Sequence, residues 1–221
     1  MKLLALETAN EQCSVSLIDE ERTLYFRLDE RAKAQTQTIL PMIEEGLLHT
    51  QLDVADLTAI AFSRGPGAFS GVRINAAVTQ ALAWSNDLPV IPVSTLQALA
   101  QAAHREAQLT QVTAVLDARM KEVYIASFEL NAQGIMQLVD EEKLLSYAQA
   151  AEYQKFVLIG SGAALLDESA TQYTGITATA TDIATIARVQ ALAEDWVSAE
   201  LALPVYLRDD AWKKISEQGK V

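Results

Sequence analysis

Cysteine and histidine are scarce in this chain, which has one cysteine and two histidines among its 221 residues. A single cysteine excludes an internal disulfide and a thiolate metal site. Cys13 alternates in phase with Val15 and Leu17, so we expect a buried core thiol rather than a nucleophile. His49 and His104 have no His or Cys at metal-binding spacing, which disfavours a zinc hydrolase. We predict no catalytic residue and no metal site in the chain itself.

Positive charge and long apolar runs are scarce as well. The 17 Lys and Arg against 29 Asp and Glu give a formal net charge of -12. Because nucleic acids and anionic membranes bind clustered Lys and Arg, we do not expect this chain to hold RNA, DNA or a membrane unaided. No apolar run approaches the length of a membrane span, and Glu7 comes too early for a signal peptide. The expected location is the cytoplasm.

Glycine, by contrast, is concentrated in one place. Residues 64–73, Arg-Gly-Pro-Gly-Ala-Phe-Ser-Gly-Val-Arg, hold three of the nine glycines and lie between a strand-like segment and a helix-like one. Such a loop can approach other backbone closely, and the start of the helix has free N–H groups for an anion. The loop ends in Gly-Val-Arg, whereas a phosphate-binding P-loop ends in Gly-Lys followed by Ser or Thr. It also has Ser70 where a dinucleotide-binding fingerprint needs glycine, so neither of these nucleotide-binding motifs fits. The sequence leaves two roles open for this loop, namely a tight connection between strand and helix or a contact with a ligand or partner.

The order of expected strands and helices indicates an α/β fold with mixed sheets and flanking helices. An apolar strand ending in an acid and followed by an alternating strand occurs twice, at Glu7 and at Asp117. We therefore predict two duplicated lobes, residues 1–105 with the glycine loop and partner-binding helices, and residues 106–221. We place the final helix, residues 182–200, and the tail in the second lobe. In one possible arrangement, this helix and the tail pack back on the first lobe.

Two helices of the first lobe, residues 36–50 and 71–85, have more apolar surface than one core can cover. In the second helix we expect Ile74, Val78 and Ala81 to face the sheet, which leaves a stripe of small residues pointing outward. Small residues allow helices to approach closely. The alternative is a helix buried inside one core. The predicted partner-interface residues are Ile39, Leu40, Met42, Ile43 and Leu47 on the first helix and Val72, Ala76, Thr79 and Ala83 on the second.

Several short segments carry a resemblance to a known family. They are Leu-Glu-Thr-Ala at 6–9, Ile-Leu-Pro at 39–41, the glycine loop at 64–73, Pro-Val-Ser-Thr-Leu at 92–96, Asp-Ala-Arg-Met-Lys-Glu-Val-Tyr at 117–124 and Pro-Val-Tyr-Leu-Arg at 204–208. Together they resemble the TsaB (YeaZ) family, nearly end to end, and the duplicated lobes resemble the actin, hexokinase and Hsp70 superfamily with its ribonuclease H-like lobes. One position departs from the family pattern, because Ala34-Gln35-Thr36 stands where many relatives have His-Ser or His-Thr.

The resemblance implies a non-catalytic scaffold or activator in the complex that forms N6-threonylcarbamoyladenosine (t6A) at position 37 of tRNAs reading codons that begin with A. Such a subunit dimerises with and stabilises the catalytic TsaD, TsaE joins the pair, and the chain forms a homodimer when alone. The resemblance further implies that tRNA binds only through the complex. The chain has no cofactor of its own, and ATP or ADP and a metal are expected only in the assembled complex.

Two enzyme classes remain as alternatives. An autonomous ATP-dependent small-molecule kinase of the superfamily would use Glu7 and Asp117 to position a metal, and a glycoprotease-like peptidase would need a nucleophile, base and acid that the sequence does not supply. Arg119 is expected at the mouth of the cleft between the lobes. The predicted residues in or near that cleft are Glu7, Thr8, Arg64, Gly65, Pro66, Gly67, Ser70, Gly71, Arg73, Asp117 and Arg119.

Overall fold

The computed structural model describes residues 1–208, which form two five-stranded sheets with helices packed around them. Residues 209–221, the end of the tail that we placed in the second lobe, lie outside the described residues. The predicted α/β architecture with two mixed sheets and flanking helices is confirmed. Among residues 1–208, no helix combines the length and the apolar character needed to cross a bilayer.

The first sheet has the strand order β3-β2-β1-β4-β5. Its strands are β1 (Lys2–Glu7), β2 (Cys13–Asp19), β3 (Thr23–Asp29), β4 (Ala59–Ser63) and β5 (Val90–Val93). The first three pair antiparallel as a meander, and β4 and β5 extend the sheet in parallel to β1. Asp19 closes the β2–β3 turn, because its carboxylate accepts the N–H groups of Glu21 and Arg22. The central strand β1 is almost wholly buried, as expected for a strand covered by helices on both faces.

The second sheet begins with the same hairpin and has the order β10-β6-β7-β8, with β9 also pairing β7. Its strands are β6 (Gln111–Asp117), β7 (Glu122–Leu130), β8 (Met136–Leu138), β9 (Lys143–Ser146) and β10 (Val157–Ile159). The β6 strand ends at Asp117 as β1 ends at Glu7, and an antiparallel strand follows in each case. The equivalent acids therefore close equivalent strands in the two sheets.

The helices are α1 (Gln35–Thr50), α2 (Phe69–Ser85), α3 (Thr95–Ala107), α4 (Tyr147–Tyr153), α5 (Ala163–Leu166) and α6 (Ala180–Leu192), with short 3-10 turns at Val54–Asp56 and Ala199–Leu201. The Ser94 hydroxyl caps α3 by accepting the N–H groups of Leu96 and Gln97. The final helix is shorter than the predicted 182–200. Glu194 has a φ of 53°, which turns the chain, and Val197 then pairs with Val90 at the edge of the first sheet.

The helices divide the core into layers. Both α1 and α2 pack on one face of the first sheet and α6 on the other, while α3 packs on the second sheet. Because α3 extends to Ala107, the predicted lobe boundary at 105/106 falls inside this helix. An ion pair joins α3 to α6, because the Arg105 guanidinium donates to both carboxylate oxygens of the buried Asp182, at 2.9 and 3.0 Å.

Candidate functional site

The glycine loop is packed tightly against the turn that follows β1. The N–H of Ala68 donates to the Ala9 carbonyl at 2.7 Å, and the Thr8 hydroxyl donates to the Gly71 carbonyl at 2.8 Å. A Cβ atom at Gly67 would collide with the Ala9 carbonyl oxygen, and one at Gly71 with the Thr8 carbonyl oxygen. Close approach of two backbone segments thus explains these two glycines without a ligand.

Beneath this loop lies a buried polar cluster that includes Glu7, Ser63 and Asn75. Glu7 is 1 % exposed, one of its oxygens accepts the Ala9 N–H, and the other has no partner. Burial raises the pKa of Glu7 to about 7, and the nearby Ser63 hydroxyl and backbone N–H groups only partly oppose that rise. The Asn75 amide donates to the Leu6 and Ser63 carbonyls and to the Ser63 hydroxyl. The cluster connects β1, β4 and α2 inside the first lobe.

A cavity of about 820 Å³ lies between the two lobes. Four of the predicted cleft residues line it, namely Pro66, Gly67, Asp117 and Arg119. Seven do not line it, and they are Glu7, Thr8, Arg64, Gly65, Ser70, Gly71 and Arg73. Glu7, Thr8, Gly65 and Gly71 are buried within the first lobe, which corrects their expected place in the cleft, whereas Arg64, Ser70 and Arg73 are not buried.

The two arginines of the loop are held by neighbouring side chains. The Arg64 guanidinium forms an ion pair with Glu142 of the second lobe at 3.1 Å. The Arg73 guanidinium lies 3.3 Å from the centroid of the Phe69 ring and 4.8 Å from that of Tyr206, which is favourable cation–π geometry. Ser70 is exposed in the first turn of α2. The loop is therefore fixed by neighbouring groups on both sides.

The second lobe contributes a strained turn to the cleft wall. Arg119, Met120 and Lys121 have φ values of 62°, 55° and 62°, a left-handed conformation that is rare for residues other than glycine. Asp117 stabilises the turn, because its carboxylate accepts the Arg119 N–H at 2.8 Å and pairs with the Arg119 guanidinium at 2.9 Å. The two predicted residues, Asp117 and Arg119, therefore neutralise each other at the end of β6.

The segment Pro204 to Arg208 crosses the cleft, and it belongs to the tail for which packing on the first lobe was one expected arrangement. The Val205 N–H donates to the Arg64 carbonyl at 2.8 Å. Arg208 pairs with Glu122 at 2.6 Å and donates to the Ala118 carbonyl at 3.3 Å. Val205, Tyr206 and Arg208 all line the cavity. The segment thus joins the glycine loop to the turn after β6.

The cavity walls are largely apolar. Thr95 lines the cavity and its hydroxyl oxygen is buried without a partner. The apolar side chains of the wall include Val72, Leu99, Leu116, Tyr124 and Ile176. Polar and charged side chains, among them Glu11, Glu30 and Arg208, complete the lining, so a small molecule with an apolar body and several polar groups would complement these walls.

The second candidate site is the outer surface of α1 and α2, and here the predicted faces require correction. Seven of the nine predicted interface residues are buried in their own core: Ile39, Met42, Ile43, Val72, Ala76, Thr79 and Ala83. The small-residue stripe of α2 faces the first sheet because small side chains allow the helix to lie close to β4. Asn75 lies on this same inner face, where its amide is bonded to the sheet.

The surface that α1 and α2 actually present is also apolar, and we call it the two-helix face. Its members are Leu40, Leu47 and Leu48 on α1 and Ile74, Ala77, Val78, Ala81 and Leu82 on α2. Leu40 is 55 % exposed and Leu48 is 72 % exposed. A groove of about 790 Å³ runs between the helices, lined by Leu40, Leu47, Leu48 and Leu82 among others. Exposed apolar surface of this kind is typical of protein–protein contact sites.

Comparisons with known proteins cover both lobes. A family model described as "TsaD: tRNA N6-adenosine threonylcarbamoyltransferase" matches residues 29–209. The protein named tRNA threonylcarbamoyladenosine biosynthesis protein TsaB in Haemophilus influenzae is 37 % identical over 235 residues, with 97 % of each chain covered. The protein of that name in Escherichia coli K12 is 35 % identical, with 97 % of this chain and 98 % of its own length covered. The solved structure of YeaZ from Pseudomonas aeruginosa superposes with a TM-score of 0.85 at 36 % identity, over 93 % of this chain and 99 % of that one.

Proposed function

Because the chain belongs to the TsaB family, we propose that it is a subunit of the machinery that forms t6A at position 37 of tRNAs reading codons that begin with A. The observation that carries the proposal is similarity over 97 % of the chain to proteins named for t6A biosynthesis. Within that machinery the chain acts as a non-catalytic activator of the threonylcarbamoyl-transferring subunit, TsaD.

The two-helix face is the surface that contacts TsaD in this proposal. It has two exposed leucines on α1, Leu40 and Leu48, beside a groove that the half-buried Leu82 of α2 borders on the other side. Burying these side chains against a second pair of helices would remove apolar area from water. The same face serves the homodimer when TsaD is absent, so the two associations compete. TsaE joins the assembled pair.

The titratable groups of the chain support a non-catalytic role. Burial raises the pKa of the Cys13 thiol to about 11, so the thiol is protonated and unreactive at neutral pH. The Glu7 carboxyl group is enclosed by protein, and Asp117 is paired with Arg119. The Cys13 thiol and the Glu7 carboxyl group are therefore not presented to a substrate as a peptidase or a metal-dependent kinase would need, and the Asp117 carboxylate, which does line the cavity, is held by Arg119.

Nucleotide, metal and tRNA enter the proposal only through the complex. ATP or ADP and a metal are bound by the partner subunits, while the chain's own cleft is not assigned a nucleotide. The formal net charge of -12 opposes contact with the tRNA backbone. The tRNA is therefore held by TsaD and its assembly with this chain.

A reconstituted reaction tests this function. Purified TsaD, threonylcarbamoyl adenylate and unmodified tRNA are incubated with and without this chain, and t6A is measured by mass spectrometry of digested tRNA. We expect no t6A from the chain alone, little from TsaD alone and rapid formation from the two together. ATP turnover or t6A formation by the chain alone would contradict the proposal and favour an autonomous enzyme.

A further inference from the structure

The groove of the two-helix face has acidic groups at its border and no basic ones. Glu44 and Asp53 line it together with the leucines, and the groove has no lysine or arginine among its described lining residues. Both carboxylates are exposed. Neither takes part in any of the ion pairs found within residues 1–208. The apolar groove is thus bordered by uncompensated negative charge.

The helix itself adds to this negative character. The C-terminal turn of α1 lines the groove through Leu47, Leu48 and Gln51, and the C-terminus of a helix carries a partial negative charge. The only basic side chains on the two helices are engaged elsewhere. His49 lies against the Tyr25 ring at 5.8 Å, and Arg73 stacks on Phe69.

We infer that this charge makes the two-helix face select a partner subunit with lysine or arginine opposite Glu44 and Asp53, in preference to a second copy of this chain. The inference rests on the proposed function, because it assumes that the face is the docking surface. A two-fold homodimer places the same surface on both sides. Wherever the acids of one copy meet the groove of the other, they find no basic group there.

Electrostatics thereby adjusts the balance between the two associations, while apolar contact drives both. Like charges opposed across an interface disfavour the complex and opposite charges favour it. Added salt weakens both effects, because the screening length falls from about 10 Å at 0.1 M to about 3 Å at 1 M ionic strength. The homodimer should therefore tighten with KCl, and the complex with the basic partner should loosen.

The test uses the double variant Glu44→Gln, Asp53→Asn with the homodimer and TsaD dissociation constants measured by analytical ultracentrifugation. We expect the homodimer to tighten about three- to tenfold and TsaD binding to weaken by a similar factor, the scale of two exposed charge pairs. The salt dependence of both constants should become shallower. The control variant Glu168→Gln removes an exposed acid of the second lobe and should change neither constant.

Three outcomes separate this inference from the proposed function. If Leu48→Gln weakens both associations and the double variant shifts them in opposite directions, both the inference and the proposed docking surface hold. If Leu48→Gln weakens both associations but the double variant does not shift them in opposite directions, the charge inference is overturned and the docking surface stands. If Leu48→Gln leaves both associations intact, the face is not the docking surface and the proposed function loses its interface.

Discussion

At the scale of single residues, Glu7 shows how burial sets the chemistry of this protein. Its carboxyl group lies at the end of β1 with one oxygen unpartnered, and its pKa of about 7 lies above the ordinary 4.5 because burial disfavours the charged form. The folded protein therefore holds a proton that the unfolded chain releases at lower pH. This difference couples folding to pH.

Glu7→Gln should remove that coupling. A raised folded-state pKa contributes stability that is present below the unfolded pKa and is lost as pH rises from about 4.5 to about 7. Over this window the wild type should lose about 3 kcal/mol that the variant retains, at 1.36 kcal/mol per pKa unit. Urea unfolding at several pH values checks this, with Glu168→Gln as the exposed control. Parallel pH profiles for wild type and Glu7→Gln would contradict it.

Gly67→Ala tests the close backbone contact in the glycine loop. The added Cβ would collide with the Ala9 carbonyl oxygen, so we expect a loss of about 2 to 3 kcal/mol from the free energy of unfolding. Gly175→Ala is the matched control, since nothing lies within 4 Å of a Cβ there. The free energies of unfolding of the two variants are compared by chemical denaturation. Equal values would show that the loop accommodates a Cβ atom at position 67 without loss of stability, which would contradict the prediction.

At the scale of elements, α2 shows what periodicity can and cannot predict. The glycine cluster and the apolar spacing placed the loop and the helix at the right positions, since α2 runs Phe69–Ser85 and the prediction was 71–85. The side chains of α2 are apolar or small on nearly every side of the helix, so the spacing of its apolar residues alone is compatible with two different inner faces. Asn75 decides between them through hydrogen bonds to β1 and β4, and such tertiary contacts leave no periodic signal.

Neighbouring substitutions on α2 separate folding from association. Ala76 is 5 % exposed and Ala77 is exposed on the two-helix face. Ala76→Arg buries an unpaired cation and should cost several kcal/mol of stability, roughly 3 or more. Ala77→Arg should cost about 0.5 kcal/mol or less while abolishing the homodimer. Thermal melts and sedimentation check both, and a stable Ala76→Arg protein or a dimeric Ala77→Arg protein would contradict the assigned faces.

At the scale of the whole molecule, contacts distant in sequence join the lobes. Arg64 reaches Glu142, Arg105 reaches Asp182, and the Val205 N–H donates to the Arg64 carbonyl. The repeated strand-and-acid pattern predicted two lobes with the correct architecture. It could not predict that Pro204 to Arg208 would cross the cleft, because an extended segment without periodicity has no preferred surface in its own sequence.

The overall charge leads to a prediction about tRNA. With a formal net charge of -12, the chain alone should bind tRNA no tighter than about 10⁻⁶ M at physiological salt, the upper end of non-specific affinity. Fluorescence anisotropy with labelled tRNA measures this. Tight binding that resists added salt would mean that the chain contacts tRNA directly and is more than a scaffold.

The central claim is that the chain activates TsaD by docking through the two-helix face. The most direct test is the rate of t6A formation by TsaD supplied with wild-type chain, with Ala77→Arg or with the remote control Glu168→Lys. We expect wild type and the control to support the same rate, and folded Ala77→Arg to support only the rate of TsaD alone. Full activity with Ala77→Arg would show that TsaD is activated without contact through this face.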